Sequence, residues 1–536
     1  MSTKGKKETV PKHTHYEASR ALIYSVYDMI ILFIVILFID ICYSIPKYIY
    51  ACLPCHLQYF QKICSDECET ENLTTNAMLE MSPLIFFLLS LIAVSQPRRC
   101  QTELPQDDRR WMSTKTGYRQ IVRNLRPDTL GAEAEAEGCA PLHLWTVVRH
   151  GTRYPSKAAI RLMTEDLPRL RDRILAAAEA APATRQLCDL DLELLRGWGT
   201  AVGPEQAKLL HAEGDSEMIL LGERWLDRLP GLLGRYEPGL YRLRSTDTER
   251  SQRSGAGFVT GLWTRVMVPR VSWHVVKDGH DPLIRFYKLC DAWIREVKKN
   301  REANIEKFKF EQSETMLSVE QSVTAYLGVN VTLSELDAMY VMCNFDLAWS
   351  PAAPSPWCRV FSDRDLRVME YREDLEYYWV DGPGHEVTGK QACVLAKDMV
   401  DTFHNISQGH LNLNGSFYFT HSGTILKLLA FLGVFEDPDN LKSDNFDQMS
   451  DRKWKTSEIG PFGGNIAFVL QNCGDSGHKL GLFVNEQLTL IPGCDDVWCP
   501  LRTFVQNYPQ VTSCDFDKIC FRDDSDDESD VPDDKY

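Results

Sequence analysis

Two short strings, far apart in the chain, constrain the fold more than any other feature. Residues 149–155 read Arg-His-Gly-Thr-Arg-Tyr-Pro, and residues 421–424 read His-Ser-Gly-Thr. Each string follows an apolar, β-rich run and precedes a helical pattern, so each is predicted to lie where a strand's carboxyl end meets a helix. Such junctions line the crevice of an open α/β sheet, and this geometry lets His150 and His421 share one pocket.

The first string places His150 between Arg149 and Arg153. The rigid fork of donors on a guanidinium group matches the oxygens of a phosphoryl group. A bare His-Gly pair after a strand is usually an ordinary turn, but the complete string is far more specific. The flanking sequence agrees, because residues 142–148 have the pattern of a buried strand and Ser156 is a favourable N-cap for the next helix. The pattern therefore favours a phosphate-bearing ligand.

At these residues the chain resembles the histidine acid phosphatases and, within them, the multiple inositol polyphosphate phosphatase branch, which is close to the phytases. Similar segments extend over roughly residues 139–520 and include residues 243–263, 338–349, 355–379, 454–473 and 492–504. The resemblance implies an α/β histidine phosphatase fold, in which helices flank a mixed sheet and an α-helical subdomain is inserted. It also implies removal of phosphates from inositol polyphosphates, with 2,3-bisphosphoglycerate as a further substrate, and no metal or cofactor.

The resemblance assigns a role to each residue of the two strings. His150 is the expected nucleophile, which carries a phosphohistidine until water removes the phosphate, and His421 is expected to hydrogen-bond the phosphate from the opposite side. Arg149 and Arg153 are expected to hold the nonbridging oxygens. Arg244 is predicted to be a third arginine of this kind, because it ends an apolar strand-like run just before a helix start.

The second string departs from the pattern of its relatives. They place a carboxylate directly after the histidine or one residue further on, whereas this chain has Ser422 and Gly423. That carboxylate usually protonates the leaving alkoxide, a contribution on the order of 10² to 10⁴ in rate. In the glycine-rich segment 382–386, His385 and Glu386 are the candidate substitutes, although an ordinary loop turn is the simpler interpretation.

Because of this departure, two functions of different classes stay open. One is a phosphomonoesterase acting on inositol polyphosphates, which the intact His150 string favours. The other is a pseudophosphatase that binds inositol phosphates but turns over slowly or not at all, which the absent carboxylate favours. A general acid phosphatase or a receptor-like ectodomain of the same fold is a third interpretation.

Charge and pattern organise the rest of the 536-residue chain. The formal net charge of −16 disfavours nucleic acid as a partner, so an anionic substrate must be attracted by a local field of arginine and lysine. Residues 139–522 are predicted to form the phosphatase domain, with a helical insert at roughly 157–400. Residues 96–138 are interpreted as a linker, and residues 523–536 as an acidic disordered tail.

Two apolar stretches precede the phosphatase-like region. Residues 1–80 are interpreted as an N-terminal extension, whose apolar run at residues 29–39 is a candidate membrane span. Residues 81–95 resemble a signal peptide. Both cannot act as ordinary leaders, so two explanations stay open. Either the protein begins near Met81, or it is anchored in a membrane with its catalytic part in the lumen.

Cysteines and glycosylation sequons indicate the secretory pathway. The chain has 17 cysteines, and those from residue 139 onward lack a metal-finger arrangement. Cys494 with Cys499, and Cys514 with Cys520, are plausible local disulfides. Sequons for N-glycosylation begin at Asn330, Asn405 and Asn414. The predicted location is secreted, in the lumen of the endoplasmic reticulum, or membrane-anchored with a lumenal or extracellular catalytic domain.

Overall fold

A mixed sheet of eight strands forms the centre of the molecule. The computed structural model describes residues 112–123, 135–182, 185–350 and 355–521, all within the compact unit of residues 96–536. The candidate membrane span, the signal-like segment and the acidic tail lie outside the described residues. Within the described ranges, no helix combines the length and apolarity that a membrane crossing needs. The strands are β1 Ala140–Arg149, β2 Tyr241–Ser245, β3 Trp273–His274, β4 Gly415–Thr420, β5 Asn465–Asn472, β6 His478–Val484, β7 Gln487–Thr489 and β8 Trp498–Pro500.

Helices connect and cover these strands. The α-helices are α1 Tyr118–Arg123, α2 Lys157–Arg161, α3 Leu167–Ala180, α4 Asp189–Gly197, α5 Ala212–Arg228, α6 Pro230–Leu233, α7 Glu249–Trp263, α8 Asp291–Trp293, α9 Ile305–Glu311, α10 Glu314–Leu327, α11 Leu333–Trp349, α12 Asp363–Val380, α13 Glu386–Lys390, α14 Cys393–Ser407, α15 Ser422–Leu432, α16 Thr456–Ile459, α17 Leu501–Asn507, α18 Pro509–Thr512 and α19 Phe516–Cys520. Ser156 caps α2 as predicted, since its side chain accepts a hydrogen bond from the backbone N–H of Ala159.

The strand order places the two histidine strings side by side. Along the sheet the order is β3-β2-β4-β1-β5-β6-β7, and β8 pairs with β6. The first four strands run parallel to one another, whereas β5 and the strands beyond it are antiparallel. The carboxyl ends of β2, β4 and β1 therefore meet at one edge of the sheet, which is the position predicted for a ligand crevice.

The two faces of the sheet contact two separate hydrophobic cores. Along β1 the side chains alternate, with Trp145 and Val147 packing into the larger core and Leu144 and Val148 into the smaller one. Helices α5 and α7 cover the smaller core, while the helices that precede and follow the strands on the other face fill the larger one. Since both faces of the sheet are covered, the central strands β1, β4 and β5 are buried along most of their length.

The helical part of the chain is not a single insert. The range predicted as such, roughly residues 157–400, also contains β2 and β3, which pair into the central sheet. The helices therefore divide into a group between β1 and β2, the single helix α7 between β2 and β3, and a longer group between β3 and β4. The strand-like run that ends at Arg244 predicted β2, which is five residues long.

Five disulfides tie the described elements together: Cys139–Cys473, Cys290–Cys520, Cys343–Cys358, Cys393–Cys514 and Cys494–Cys499. The predicted Cys494–Cys499 bridge is confirmed. The predicted Cys514–Cys520 bridge is wrong, because α19 separates these cysteines. Six residues at a helical rise of about 1.5 Å each span about 9 Å, which is too far for a disulfide. Each instead pairs with a cysteine at the start of another helix, α14 or α8.

Candidate active site

The two predicted histidines meet at the carboxyl ends of β1 and β4. In the register of these parallel strands Arg149 lies opposite Thr420, so the next residue of each strand, His150 and His421, are neighbours. The backbone N–H of His150 donates to the carbonyl of Thr420 at 3.0 Å, and the two imidazole ring centres are 5.5 Å apart. The prediction that one pocket holds both histidines is confirmed.

The ring of His150 is set up as a nucleophile. Its Nδ1 lies 2.9 Å from the carbonyl oxygen of Gly151, and a carbonyl can only accept, so Nδ1 carries the proton. The lone pair is thereby left on Nε2. Burial lowers the pKa of His150 well below its ordinary value, and the charges of Arg149 and Arg250 lower it further. The imidazole therefore stays neutral in mildly acidic water, as a nucleophile at phosphorus must.

The loop that carries His150 rests against α5 at a very close approach. A Cβ atom on Gly151 would lie 2.5 Å from the carbonyl oxygen of Gly214, and a Cβ on Gly214 would lie 2.1 Å from the carbonyl oxygen of Thr152. Only glycine fits at both positions. One turn further along α5, Glu217 accepts hydrogen bonds from the backbone N–H of Thr152 at 2.7 Å and from its hydroxyl at 2.9 Å. Burial raises the pKa of Glu217 to about 7.

Arg149 and Arg153 both lie close to one aromatic ring in the pocket. The guanidinium carbon of Arg149 is 4.5 Å from the ring centre of Phe462, and that of Arg153 is 5.8 Å away. One terminal nitrogen of Arg149 donates to the carbonyl of Gly460 at 2.7 Å, while its buried Nε has no hydrogen-bond partner in the described part of the chain. Burial lowers the pKa of Arg149 to about 9 and that of Arg153 to about 10.

The third arginine of the pocket is Arg250, which corrects the prediction for Arg244. Arg244 donates two hydrogen bonds of 2.8 Å to the buried carboxylate of Asp281, so its fork is already occupied. Arg250 instead donates to Nδ1 of His421 at 3.3 Å, and its buried Nε has no partner among the described residues. Arg253, one turn further along α7, pairs with acidic side chains at the surface.

Sequence reasoning led to Arg244 instead of Arg250 because Arg244 ends the strand-like run, whereas Arg250 lies inside the next helix. Arg250 is the second residue of α7, which begins at the carboxyl edge of the sheet. Side chains of a helix lean toward its N-terminus, so an arginine in the first turn reaches back toward that edge. This lean, together with a helix start directly after a strand, is the signal that could have identified it.

His421 caps α15 and completes the set of donors. Its Nδ1 accepts from Arg250, so Nε2 carries the ring proton and lies 3.2 Å from the hydroxyl oxygen of Thr246. Burial lowers the pKa of His421 well below its ordinary value, and Arg250 and Arg285 add to this effect. Both histidines are therefore neutral donors or acceptors within a field of positive charge.

The two candidate proton donors of the glycine-rich segment do not point into this field. Nε2 of His385 is hydrogen-bonded to the carbonyl of Ala303 at 3.0 Å. Glu386 is at the surface, with its side chain 78% exposed and paired with Lys390. The loop-turn interpretation of this segment therefore replaces the catalytic one. Across the described ranges, no group of three histidine, cysteine, aspartate or glutamate side chains is arranged to hold a metal ion.

Comparison with known proteins agrees with this geometry. Residues 142–485 match the histidine phosphatase superfamily, branch 2. Multiple inositol polyphosphate phosphatase 1 of Drosophila melanogaster is 30% identical over 446 residues, covering 81% of this chain and 92% of that protein. The protein of the same name from Gallus gallus is 28% identical over 433 residues, covering 76% and 92%. The chain belongs to the histidine phosphatase superfamily, so the resemblance inferred from its motifs is confirmed.

Solved structures share the same architecture. The apo form of Bifidobacterium longum multiple inositol polyphosphate phosphatase superposes with a TM-score of 0.57 at 15% identity, covering 74% of this chain and 96% of that one. The phytase from D. castellii gives a TM-score of 0.57 at 14% identity, with coverages of 73% and 85%. The predicted α/β histidine phosphatase fold, with a mixed sheet flanked by helices, is thus confirmed.

Proposed function

We propose that the protein is a phosphomonoesterase that removes phosphate groups from inositol polyphosphates through a phosphohistidine on His150. The observation that carries this proposal is the state of that side chain. Its Nδ1 proton is held by the carbonyl of Gly151, its pKa is depressed, and Nε2 keeps the lone pair beside three guanidinium groups. This is the combination that nucleophilic attack on a charged phosphate ester requires.

The reaction proceeds in two displacements at phosphorus. In the first, Nε2 of His150 attacks while the guanidinium groups of Arg149, Arg153 and Arg250 hold the nonbridging oxygens. In the second, water attacks the phosphohistidine and releases inorganic phosphate. Positioning and charge stabilisation supply most of the acceleration in phosphoryl transfer, which accounts for so many cations around one nucleophile.

A substrate with several phosphates is favoured over a simple monophosphate, because the positive field extends beyond the three arginines. Burial lowers the pKa of Lys288, and the nearby charges of Arg285, Lys298 and Lys208 lower it further. These cations lie together although the chain as a whole has a net charge of −16. Such a local field raises the concentration of a polyanion at the pocket. The names of the Drosophila and chicken relatives point to inositol polyphosphates as this polyanion.

The same proposal includes the secretory pathway. The disulfides of the described region fit an oxidising compartment. Asn330 and Asn405 are exposed and suit glycosylation, although the amide of Asn405 donates to the carbonyl of Asp401 on its own helix at 2.8 Å; the serine of the Asn414 sequon, Ser416, is by contrast fully buried. We therefore expect glycans on the first two asparagines only. Whether the chain is secreted or anchored by its N-terminal region is decided by sequencing the N-terminus of the glycosylated protein.

The test is phosphate release from inositol hexakisphosphate by the purified full-length chain, with 2,3-bisphosphoglycerate as a second substrate. The proposal predicts release, together with an acid-sensitive labelled phosphoenzyme when the reaction is quenched rapidly. Tight binding of inositol hexakisphosphate without any release would instead establish a binding protein of this fold.

A further inference from the structure

Hydrolysis of an inositol phosphate needs an acid as well as a nucleophile. The leaving group is the alkoxide of a secondary alcohol, which departs slowly unless a proton is delivered as the bond breaks. The pocket described so far consists of arginines and two histidines with depressed pKa values. A carboxyl group is therefore the group that this chemistry still lacks.

The carboxylates of the surrounding elements differ in where their partners hold them. Glu217 accepts three hydrogen bonds behind the nucleophile loop. Asp281 is paired with Arg244, and Glu249 is paired with Arg253 at the surface. Asp381, directly after α12, is paired with a lysine of α15, and this pair keeps its partly exposed carboxylate beside the first turn of α15.

The carboxylate of Asp381 lies within reach of a side chain placed at position 423. Its Oδ1 lies 3.4 Å from the position of a Cβ on Gly423, two residues after His421. By ordinary bond lengths, the carboxylate oxygens of a glutamate lie roughly 3 to 3.7 Å from its own Cβ. A carboxylate from the end of α12 therefore lies as far from this Cβ position as the carboxylate of a glutamate at position 423 would lie, and the absent Cβ of Gly423 leaves room for it.

Tyr287 interacts electrostatically with both Asp381 and an arginine of the pocket. A ring carbon of Tyr287 lies 3.5 Å from the same Cβ position on Gly423. Burial raises the pKa of Tyr287, while the charges of Asp381 and Arg250 act on it with opposite signs. Arg250 is the residue that donates to His421. Tyr287 is thus within electrostatic reach of both Asp381 and the group that donates to the second histidine.

A buried lysine fixes the Asp381 carboxylate in this position. Lys427, one turn after Gly423 on α15, donates to Oδ1 of Asp381, and its side chain is fully buried. The ammonium lies 4.1 Å from the ring centre of Trp293 and 5.0 Å from that of Tyr287. Burying a lone ammonium in an apolar helix costs several kcal/mol, so the lysine is tolerated as half of a pair with Asp381.

We propose, on the basis of the phosphatase function above, that Asp381 is the proton donor to the leaving oxygen and that Lys427 is its positioning residue. As the bond from Nε2 of His150 to phosphorus forms, the bond from phosphorus to the ester oxygen breaks, and that oxygen takes a proton from the carboxyl of Asp381. In the second displacement, attacking water gives a proton to the Asp381 carboxylate as the phosphorus–nitrogen bond breaks. The cycle thereby returns Asp381 to its acid form.

The first test compares two leaving groups in Asp381→Asn. Turnover of inositol hexakisphosphate should fall by about 10² to 10⁴, whereas turnover of 4-nitrophenyl phosphate, whose phenolate departs without a proton, should fall by less than about tenfold. Glu386→Gln, an exposed carboxylate change in the same segment, is the control and should leave both rates unchanged. Equal losses on the two substrates, or no loss on inositol hexakisphosphate, would overturn the proposal.

The double variant Asp381→Asn/Lys427→Met is the control for misfolding, because it leaves no unpaired lysine in the core. It should melt near the wild-type temperature and show the same selective loss. If wild-type protein hydrolyses neither substrate, the proposed function itself fails. If wild-type hydrolyses both and the double variant is as active as wild-type on inositol hexakisphosphate, only the assignment of Asp381 fails.

The positioning role of Lys427 has its own readout in the choice of substrate. Lys427 faces Asp381 from α15, and Tyr287 and Lys288 face it from the segment before α8. Lys427→Met removes the group that holds the Asp381 carboxyl, so turnover of inositol hexakisphosphate should fall at least about tenfold more than turnover of 4-nitrophenyl phosphate. Equal losses on the two substrates would show that Lys427 only supports the fold.

Discussion

The two halves of the pocket are built in different ways. The half that holds the nucleophile comes from one continuous string, in which Arg149, His150, Gly151 and Arg153 follow each other at the end of β1. The half that faces it is assembled from three separate elements, with His421 from β4, Arg250 from α7 and, in our proposal, Asp381 from the end of α12. Local sequence therefore specifies the first half, whereas only tertiary structure specifies the second.

This difference indicates which catalytic groups another element of the fold can supply. The nucleophile loop is held by glycine-to-glycine contact with α5 and by the hydrogen bonds of Glu217, so its residues have no freedom to move elsewhere. A proton donor needs only to bring one carboxyl oxygen to the leaving group. A neighbouring element can supply that oxygen as well as the helix that follows the second histidine.

The largest expected effect on phosphate release comes from replacing the nucleophile. His150→Ala should lower phosphate release by at least about 10⁴-fold, because no other side chain of the string can form the phosphoenzyme. Rapid alkaline quench with radiolabelled substrate preserves a phosphohistidine and measures the intermediate directly. Labelled protein in this variant would show that another residue attacks phosphorus.

The next largest effect on turnover distinguishes Arg250 from Arg253, its neighbour on α7. Arg250→Ala should lower turnover by about 10² to 10³, since it removes a charged donor from the phosphate and from His421. Arg253→Ala, one turn along α7 and paired with surface carboxylates, is the matched control and should stay within about twofold, as expected for a surface ion pair. Similar losses in the two variants would contradict the position given to Arg250.

Arg244 should act on stability rather than on catalysis. Arg244→Ala leaves the buried carboxylate of Asp281 without its guanidinium partner, and breaking such a pair costs about 3 to 5 kcal/mol. Chemical denaturation should detect this loss, while the folded fraction keeps most of its turnover. A variant of normal stability that no longer releases phosphate would return Arg244 to the phosphate-binding set.

Glu217 should give the chain a stability that depends on pH. Burial raises its pKa from 4.5 to about 7, so the folded state binds a proton that the unfolded state releases between these values. The contribution is fully present below pH 4.5 and is lost as pH rises through 7, by up to about 3 kcal/mol. Glu217→Gln should abolish this decline. If wild-type and variant show the same change in unfolding free energy between pH 5 and pH 8, this expectation is refuted.

Much of the fold follows from the sequence, because strands buried on both faces and helices with capping residues leave strong patterns. The helix start at Ser156 and the shared pocket of the two histidines were both accessible in this way. Arg250 and Asp381 were not. Their roles depend on how a helix start leans and on the packing of α12 against α15, and no local pattern reports either.

The most direct test of the account is a rescue at Gly423. In the Asp381→Asn background, Gly423→Glu returns a carboxylate to the same place from the other element, and we expect turnover of inositol hexakisphosphate to rise by about tenfold or more. The matched Gly423→Gln change carries the same bulk without an acid and should give no rise. If Gly423→Glu fails to restore turnover in a folded protein, or if Gly423→Gln restores it equally, the carboxyl of Asp381 is not the proton donor.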